Sequence, residues 1–164
     1  MFATAGPGIS ALAEGIAETE VPIKLCAPAI VLKALLPPDW VILSEHCMMV
    51  AGPVAPAAPT LPHGYSLGRQ ANGPVTHATV TAPDGTLAAS GYAAEVDGIF
   101  VYDRIAVSEV HRRRGLGRAL MAALAEARAD PSSREVLVAT NAGASLYASI
   151  GWQVYAPYTT AALQ

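Results

Sequence analysis

Cysteine and charge are both scarce in this sequence. Only two cysteines, Cys26 and Cys47, occur in 164 residues, and they form neither a C-x-x-C pair nor a metal-ligand spacing. We therefore expect two reduced, buried thiols, a cytoplasmic protein and no metal site. Charged residues make up 14% of the chain, and the formal net charge is −3. This balance argues against a nucleic-acid-binding protein, which would present a broad basic surface.

Aromatic residues and long apolar runs are also scarce. Aromatic residues make up 6% of a chain that is 52% hydrophobic, so small side chains are expected to fill the core. The longest uncharged stretch, 47–68, contains four prolines and cannot form a membrane helix. The N-terminus lacks the basic segment of a signal peptide, and we expect no contact with a membrane. The length favours a single domain over residues 1–164.

The order of hydrophobic patterns and turn signals predicts a mixed α/β fold. Its central sheet is mostly antiparallel and flanked by helices, with one parallel strand pair joined by a long helix. Residues 1–38 are predicted to be largely helical, and residues 52–63 form a Pro-rich loop. The predicted helices are 8–19, 27–36, 112–129 and 141–150. The predicted strands are 40–51, broken near Ser44, then 75–81, 86–96, 99–107, 134–140 and 152–158.

The stretch DRIAVSEVHRRRGLGR, residues 103–118, carries the most specific chemical signal. Four of the ten Lys and Arg residues fall between Arg112 and Arg118, where a strand leads into a helix. A helix start presents unpaired backbone N–H groups, and Gly115 and Gly117 would let an anion approach them. A dinucleotide fingerprint would need a third glycine where Leu120 stands, and no Gly-Lys-Ser/Thr of a P-loop follows. A solvated helix start remains the alternative.

The spacing Arg112-x-x-Gly115-x-Gly117 resembles the acyl-CoA signature Q/R-x-x-G-x-G/A of the GNAT superfamily of N-acetyltransferases. That resemblance implies that acetyl-CoA is the cosubstrate. The loop amides would hold its diphosphate, and the preceding strand would pair with its pantetheine arm. The implied cofactor-binding residues are Ile105, Ala106, Val107, Arg112, Arg113, Arg114, Gly115, Leu116, Gly117, Arg118 and Asn141.

The stretch NAGASLYASIGW, residues 141–152, resembles a second landmark of the same family, N-x-x-A-x-x-L-Y-x-x-x-G-F/W. Asn141 lies one residue closer to the tyrosine than the pattern asks, so strict counting puts Thr140 in the Asn position. Asn141 is expected to cap the following helix or to contact pantetheine. The resemblance implies that Tyr147 protonates the departing CoA thiolate, which an unperturbed phenol can do at neutral pH. A buried tyrosine bonded to a backbone carbonyl is the alternative.

A base is also needed, because an amine is mainly protonated at neutral pH. Asp103 is predicted to fill this role, and the run 103–107 resembles the family's E-R-L-A-V. Strand alternation would place Asp103 on an apolar stripe, where loss of water would make its carboxylate a better base. An ion pair with Arg104 is the alternative. Glu95, His77 and His111 are weaker candidates, and a backbone N–H near Ile105 or Val107 would stabilise the oxyanion.

We therefore predict an acyltransferase that moves an acetyl group from acetyl-CoA to a primary amine of a small molecule or peptide, by direct attack. A non-catalytic acyl-CoA-binding sensor or interaction module is the competing hypothesis, because it needs the loop but neither Tyr147 nor Asp103. The sequence leaves both a monomer and a homodimer open.

Overall fold

The computed structural model describes residues 5–53 and 60–164, which form four α-helices, one 3-10 turn and eight strands. The helices are α1 (Gly8–Glu14), α2 (Ala29–Leu35), α3 (Leu116–Ala125) and α4 (Asn141–Ala148), and the 3-10 turn is Glu109–His111. The strands are β1 (Ile23–Leu25), β2 (Trp40–Val50), β3 (Ser66–Asn72), β4 (Val75–Thr81), β5 (Leu87–Val96), β6 (Ile99–Val107), β7 (Arg134–Ala139) and β8 (Gln153–Leu163). Half of the predicted Pro-rich loop, residues 54–59, lies outside the described residues.

The contacts within the chain divide it into two compact units. The first unit comprises Met1–Gly52 and Val138–Gln164, and the second comprises Pro53–Leu137. Both contain helices packed on mostly antiparallel strands, so the predicted mixed α/β class is confirmed. A single domain over residues 1–164 stays a prediction. Among the described residues, no helix is long and apolar enough to cross a membrane.

The first unit is built on β8, which pairs antiparallel with β1 on one side and β2 on the other. Helices α2 and α4 pack on β2 and β8. A register shift between Ile42 and Ser44 is the break expected near Ser44. Cys26 and Cys47 are free thiols and are half-buried, not buried as predicted. The buried core of this unit includes Ala13, Ile23, Leu25, Ala27, Leu32, Trp40 and Ala161.

The predicted ends of two elements in the first unit are wrong, and one strand was not predicted. Helix α1 ends at Glu14, not at residue 19, because Gly15 follows as its C-cap. Strand β1 was not predicted, because its three residues are too few to show an alternating pattern, although Ile23 and Leu25 are buried and Lys24 is exposed. Strand β8 continues past residue 158 to Leu163, because its last residues pair with β1 and the start of β2.

The second unit is a meander in the order β7-β6-β5-β4-β3. Asp97 and Gly98 both have positive φ and join β5 to β6 as a tight hairpin, which confirms the predicted turn. Strands β6 and β7 are parallel from Ile99 opposite Arg134 to Tyr102 opposite Leu137, again as predicted. Strand β3 was not predicted, because SLGRQAN has no β-branched residue. It forms by pairing along its whole length with β4.

Helix α3 packs on β4, β5 and β6 in the second unit. Leu116, Leu120 and Leu124 recur every four residues and are at most 1% exposed, so they form the buried face of the helix. The helix is shorter than the predicted 112–129. Its start is delayed because left-handed residues precede Leu116. Its last turn tightens, because the N–H groups of residues 127 and 128 bond carbonyls three residues earlier.

Candidate active site

The segment between β6 and α3 forms an open, uncapped helix start. After the 3-10 turn, Arg113 adopts φ +61° and Gly115 adopts φ +79°. Gly115 is the N-cap, and no side chain of the described residues caps it. The first backbone bond of the helix runs from the Ala119 N–H to the Gly115 carbonyl at 3.1 Å. The N–H groups of residues 116–118 therefore form an unsatisfied first turn that can bind an anion.

The two glycines of the motif have different structural reasons. A Cβ at Gly115 would meet no atom within 4 Å, so the space beside this residue is open. Glycine is favoured there because the backbone is left-handed. A Cβ at Gly117 would lie 3.6 Å from Val107 Cγ2, which is an ordinary contact. An alanine would therefore fit at Gly117, in agreement with the G/A of the signature.

The arginines around the loop are largely uncompensated. Arg112 forms an ion pair with Glu109 at 3.2 Å. Among residues 5–53 and 60–164, Arg113, Arg114 and Arg118 have no acidic partner within ion-pair distance, and all three are exposed. Three full positive charges therefore remain at the helix start, where the helix dipole is also positive.

Strand β6 contains a bulge. Ser90 lies opposite Ala106 and Tyr92 opposite Asp103, so the two residues 104 and 105 face the single residue Gly91. Arg104, with φ +53°, takes the left-handed conformation that the extra residue requires. The Ile105 side chain then lies on the α3 side of the sheet, where a Cβ at Gly91 would meet it. The bulge therefore interrupts strand alternation.

The predicted location of Asp103 on an apolar stripe with Ile105 and Val107 is wrong, because the bulge puts Asp103 on the opposite face of the strand. The side chain of Asp103 is 66% exposed, and its Oδ2 lies 3.4 Å from Arg104 Nε. The alternative of an ion pair with Arg104 is thus what the structure has. Asp103 is a solvated carboxylate, and a base at this position would act in water.

Asp103 lies in one cross-strand row with Tyr92 and His77. The imidazole of His77 stacks on the Tyr92 ring with centroids 4.3 Å apart, and the Arg104 guanidinium lies 5.9 Å from the Tyr92 centroid. Tyr92 was not among the predicted site residues. Counting back from the two-residue hairpin at 97–98 pairs Val96 with Ile99, and hence Tyr92 with Asp103, so the signal was present.

The free backbone edge of β6 begins at its bulge. In the described part of the chain, pairing with β7 ends at Tyr102, whereas pairing with β5 continues to Val107. Ile105, Ala106 and Val107 therefore have one backbone edge that no strand of the second unit occupies. An extended amide-containing chain could pair with it, as the sequence analysis expected for pantetheine.

Two weaker base candidates have structural partners. Glu95 accepts hydrogen bonds from the Ser133 hydroxyl and from the Ala129 and Asp130 N–H groups, at 2.6 and 3.2 Å for the two amides. These bonds, that of Ser133 first, lower the pKa of Glu95. His111 Nδ1 lies 3.0 Å from the Tyr65 hydroxyl. Glu95 therefore anchors the segment after α3 and is not available as a base.

Tyr147, in α4 of the first unit, is 8% exposed, and its ring packs against Trp152 with centroids 6.1 Å apart. Burial raises its pKa. Among the described residues no group hydrogen-bonds its hydroxyl, and every fully buried side-chain polar atom there has a partner. The hydroxyl therefore reaches the surface, and the alternative of a tyrosine bonded to a carbonyl is excluded within the described residues.

Thr140, not Asn141, caps α4. The Thr140 hydroxyl accepts a hydrogen bond from the Gly143 N–H at 3.1 Å, and Asn141 is the first helical residue. Gly143 also allows Tyr147 to lie close, since an added Cβ would meet Tyr147 Cε2 at 3.4 Å. The Asn141 side chain is exposed, and the fold does not use it as a cap. The first unit contains Thr140, Asn141 and Tyr147. The second unit contains Asp103 and residues 112–118, called the arginine loop below.

Several solved structures share this fold. A GCN5-related N-acetyltransferase from Kribbella flavida aligns at TM-score 0.64 and 15% identity, over 87% of this chain and 67% of its own. A GNAT-family protein from Novosphingobium aromaticivorans aligns at TM-score 0.63 and 19% identity, over 99% and 84%. A tandem GNAT protein from the clavulanic acid biosynthesis pathway aligns at 0.66 and 15%, over 96% and 68%.

At these identities the structures establish the fold, and the family rests on the sequence itself. No curated protein sequence matches the chain. The model of the acetyltransferase (GNAT) domain, however, matches residues 74–154. This range contains the arginine loop, Asp103 and Tyr147. The segment 74–154 thus belongs to the GNAT acetyltransferase domain family, and the family predicted from the two motifs is confirmed.

Proposed function

We propose that the protein transfers the acetyl group of acetyl-CoA to a primary amine of a small molecule or peptide. The observation that carries this proposal is the start of α3. There Gly115 leaves open space beside unsatisfied N–H groups, and three arginines have no acidic partner among the described residues. A diphosphate supplies the charge and the acceptor oxygens that this loop lacks. The acetyltransferase family match covers the same residues.

The pantetheine arm binds along β6 in this proposal. Residues 105–107 have a backbone edge that no strand of the second unit occupies, and pantetheine carries two amides that can pair with it. The N–H groups at the bulge then lie next to the thioester, where they can stabilise the oxyanion of the tetrahedral intermediate. Asn141 stays a predicted contact of the same arm.

Asp103 accepts the proton of the acceptor amine. Because its carboxylate is exposed, an ordered water relays the proton from the ammonium group, which leaves a neutral amine. The amine nitrogen then attacks the thioester carbon and forms the new C–N bond. The positively charged nitrogen of the tetrahedral intermediate releases one further proton to water as the C–S bond breaks, which leaves the amide and the CoA thiolate. No covalent enzyme intermediate is required.

Tyr147 protonates the departing CoA thiolate. Its raised pKa keeps the phenol protonated over the physiological range, and its hydroxyl has no competing partner among the described residues. Since a thiolate is a better leaving group when a proton is delivered to it, this step lowers the barrier to C–S cleavage. The phenolate is reprotonated from water before the next turnover.

A non-catalytic acyl-CoA-binding module is the second candidate. The exposure of Asp103 and its ion pair with Arg104 favour it, because a solvated carboxylate is a weaker base than a desolvated one. Such a module needs only the loop and the edge of β6. With either function, we propose that the protein lies in the cytoplasm, where the free thiols of Cys26 and Cys47 would remain reduced.

The decisive experiment supplies purified protein with acetyl-CoA and pools of primary amines and follows thiol release. Amine-dependent release, with the N-acetyl product identified by mass spectrometry, supports the transferase. Binding of acetyl-CoA without release for any pool of amino acids, polyamines, aminosugars or peptides supports the binding module. Thiol release that is equal with and without amine would be hydrolysis and would contradict the proposed acceptor chemistry.

A further inference from the structure

The residue immediately before the arginine loop has a partner from a distant part of the second unit. His111 ends the 3-10 turn, and its Nδ1 lies 3.0 Å from the hydroxyl of Tyr65, 46 residues earlier in the chain. The two rings meet edge to face, with centroids 5.7 Å apart and planes at 87°. Tyr65 directly precedes β3. This contact therefore joins the end of β6 to the start of an edge strand.

The loop that follows His111 needs such support. Arg113 is a non-glycine residue in the left-handed region, a conformation that is strained and persists only where the surroundings hold the backbone. Backbone bonds also hold the turn, from the Ser108 N–H to the Ala88 carbonyl of β5 and from the His111 N–H to the Ser108 carbonyl, both at 2.9 Å, and from the Arg112 N–H to the Glu109 carbonyl at 3.3 Å. These bonds end at Arg112, before the left-handed Arg113.

Tyr65 supplies the external side-chain anchor of this segment. Among the described residues, its hydroxyl is the one side-chain group from outside residues 108–118 that hydrogen-bonds to a side chain within them. In the turn between β4 and β5, the pKa of Asp84 is lowered, mainly by the hydrogen bonds that it accepts from Thr86 and to a smaller extent by the charge of His111.

We propose that Tyr65 and His111 are positioning residues of the diphosphate site. Their hydrogen bond fixes the 3-10 turn from which the loop departs, so the N–H groups at the start of α3 are already oriented when the ligand arrives. A preorganised loop loses less conformational entropy on binding, and affinity rises accordingly. This inference rests on the proposed function, because it assumes that the loop binds the diphosphate of an acyl-CoA.

The test compares two acyl donors that differ in the diphosphate. Dissociation constants are measured for acetyl-CoA by calorimetry and for S-acetylpantetheine, which has no diphosphate, by NMR titration. For Tyr65→Phe we expect acetyl-CoA to bind about fivefold more weakly, the effect of one hydrogen bond, while S-acetylpantetheine binds as it does to the wild type. A loss that is equal for both ligands would mean a general distortion and would overturn the proposal.

Two matched variants complete the experiment. Tyr102→Phe removes a buried hydroxyl from the same unit, one that donates to Glu135, and should leave the affinity for acetyl-CoA unchanged. His111→Asn keeps a polar atom near the position of Nδ1 and should restore most of the affinity that His111→Ala loses. Equal losses for Asn and Ala would overturn the proposal. Wild-type affinity in Tyr65→Phe would overturn this inference alone, whereas a wild type that binds no CoA would overturn the proposed function as well.

Discussion

Two buried tyrosines, one in each unit, differ in what their hydroxyls contact. Tyr102, in β6 of the second unit, is 3% exposed and donates a hydrogen bond to Glu135, which also pairs with Arg128. Tyr147, in α4 of the first unit, is 8% exposed, and its hydroxyl has no hydrogen-bond partner among the described residues. Burial is the main cause that raises the pKa of both hydroxyls.

The Tyr102 hydroxyl stabilises the fold, whereas the Tyr147 hydroxyl is available to react with a substrate. A phenol that donates to a buried carboxylate stabilises the carboxylate, and its proton is already committed. A phenol that is buried around its ring but has an unpaired hydroxyl keeps its proton available for a substrate. Burial and a raised pKa are therefore insufficient to identify a catalytic tyrosine, and the partner of the hydroxyl decides.

The largest expected effect comes from Tyr147→Phe. We expect kcat for acetyl transfer to fall about 100-fold, the usual contribution of a general acid, with little change in the thermal unfolding midpoint. Tyr102→Phe is the matched control. It should leave kcat unchanged and lower the free energy of unfolding by about 2 kcal/mol, because Glu135 loses a donor. Steady-state kinetics and thermal unfolding of both variants check the comparison, and the reverse pattern would invalidate it.

The second-largest effect concerns Glu135, whose carboxylate accepts the hydrogen bond of Tyr102. Replacing Glu135 with Ala leaves Arg128 and the Tyr102 hydroxyl without their shared acceptor, and both groups are largely buried. We expect a loss of about 2–3 kcal/mol in the free energy of unfolding and no loss of affinity for acetyl-CoA. Chemical denaturation followed by calorimetry measures both. Unchanged stability would mean that this cluster does not hold the second unit together.

A smaller effect is expected for the solvated carboxylate. Asp103→Asn should lower kcat/KM for the amine about tenfold. The effect is small because relayed proton transfer to an exposed carboxylate contributes less to the rate than direct transfer to a desolvated one. The affinity for acetyl-CoA should not change. Calorimetry and thiol release separate the two quantities. Wild-type kcat/KM in Asp103→Asn would remove Asp103 as the base and direct attention to His77, two strands away in the same row.

The smallest effect is a dependence of stability on pH through Glu95. Its pKa is lowered in the folded protein, so it contributes stability above the ordinary value of about 4.5, and this contribution is lost as the pH falls through the folded pKa. Glu95→Gln should therefore have a lower unfolding midpoint than the wild type at pH 6, and the difference should shrink as the pH falls below the ordinary pKa of a glutamate. A constant difference between the two proteins across this range would contradict the assignment.

Local signals in the sequence predicted the parts of the second unit that are fixed locally. The Asp97-Gly98 turn fixes the register of β5 and β6, and the buried leucines of α3 recur every four residues, close to the helical period. Strand β3 could not be predicted, because its order comes from pairing with β4 and from the bonds of Arg69 to Ala123 and Glu126, which no local pattern encodes. The bulge at Arg104 also gave no signal, since arginine does not favour a left-handed backbone. That bulge is why Asp103 was assigned to the wrong face.

Two family motifs predicted more of the site than physical patterns did. They located the loop at 112–118 and Tyr147, whereas the cap at Thr140 depends on which residue leaves the helical conformation first. The row of Tyr92 and His77 beside Asp103 follows from strand register, which the hairpin supplies. The contact between Tyr65 and His111 joins positions 46 residues apart, and no local pattern encodes it.

The most direct test of the central claim is the affinity of acetyl-CoA for three proteins, measured by calorimetry: the wild type, Gly115→Glu and Gly115→Asn. Both substitutions place a side chain in open space on a left-handed backbone, which asparagine tolerates well. We expect micromolar affinity for the wild type, a loss of less than about fivefold for Asn and no measurable binding for Glu, whose charge opposes the diphosphate. Retained affinity in Gly115→Glu would show that the start of α3 does not bind the diphosphate.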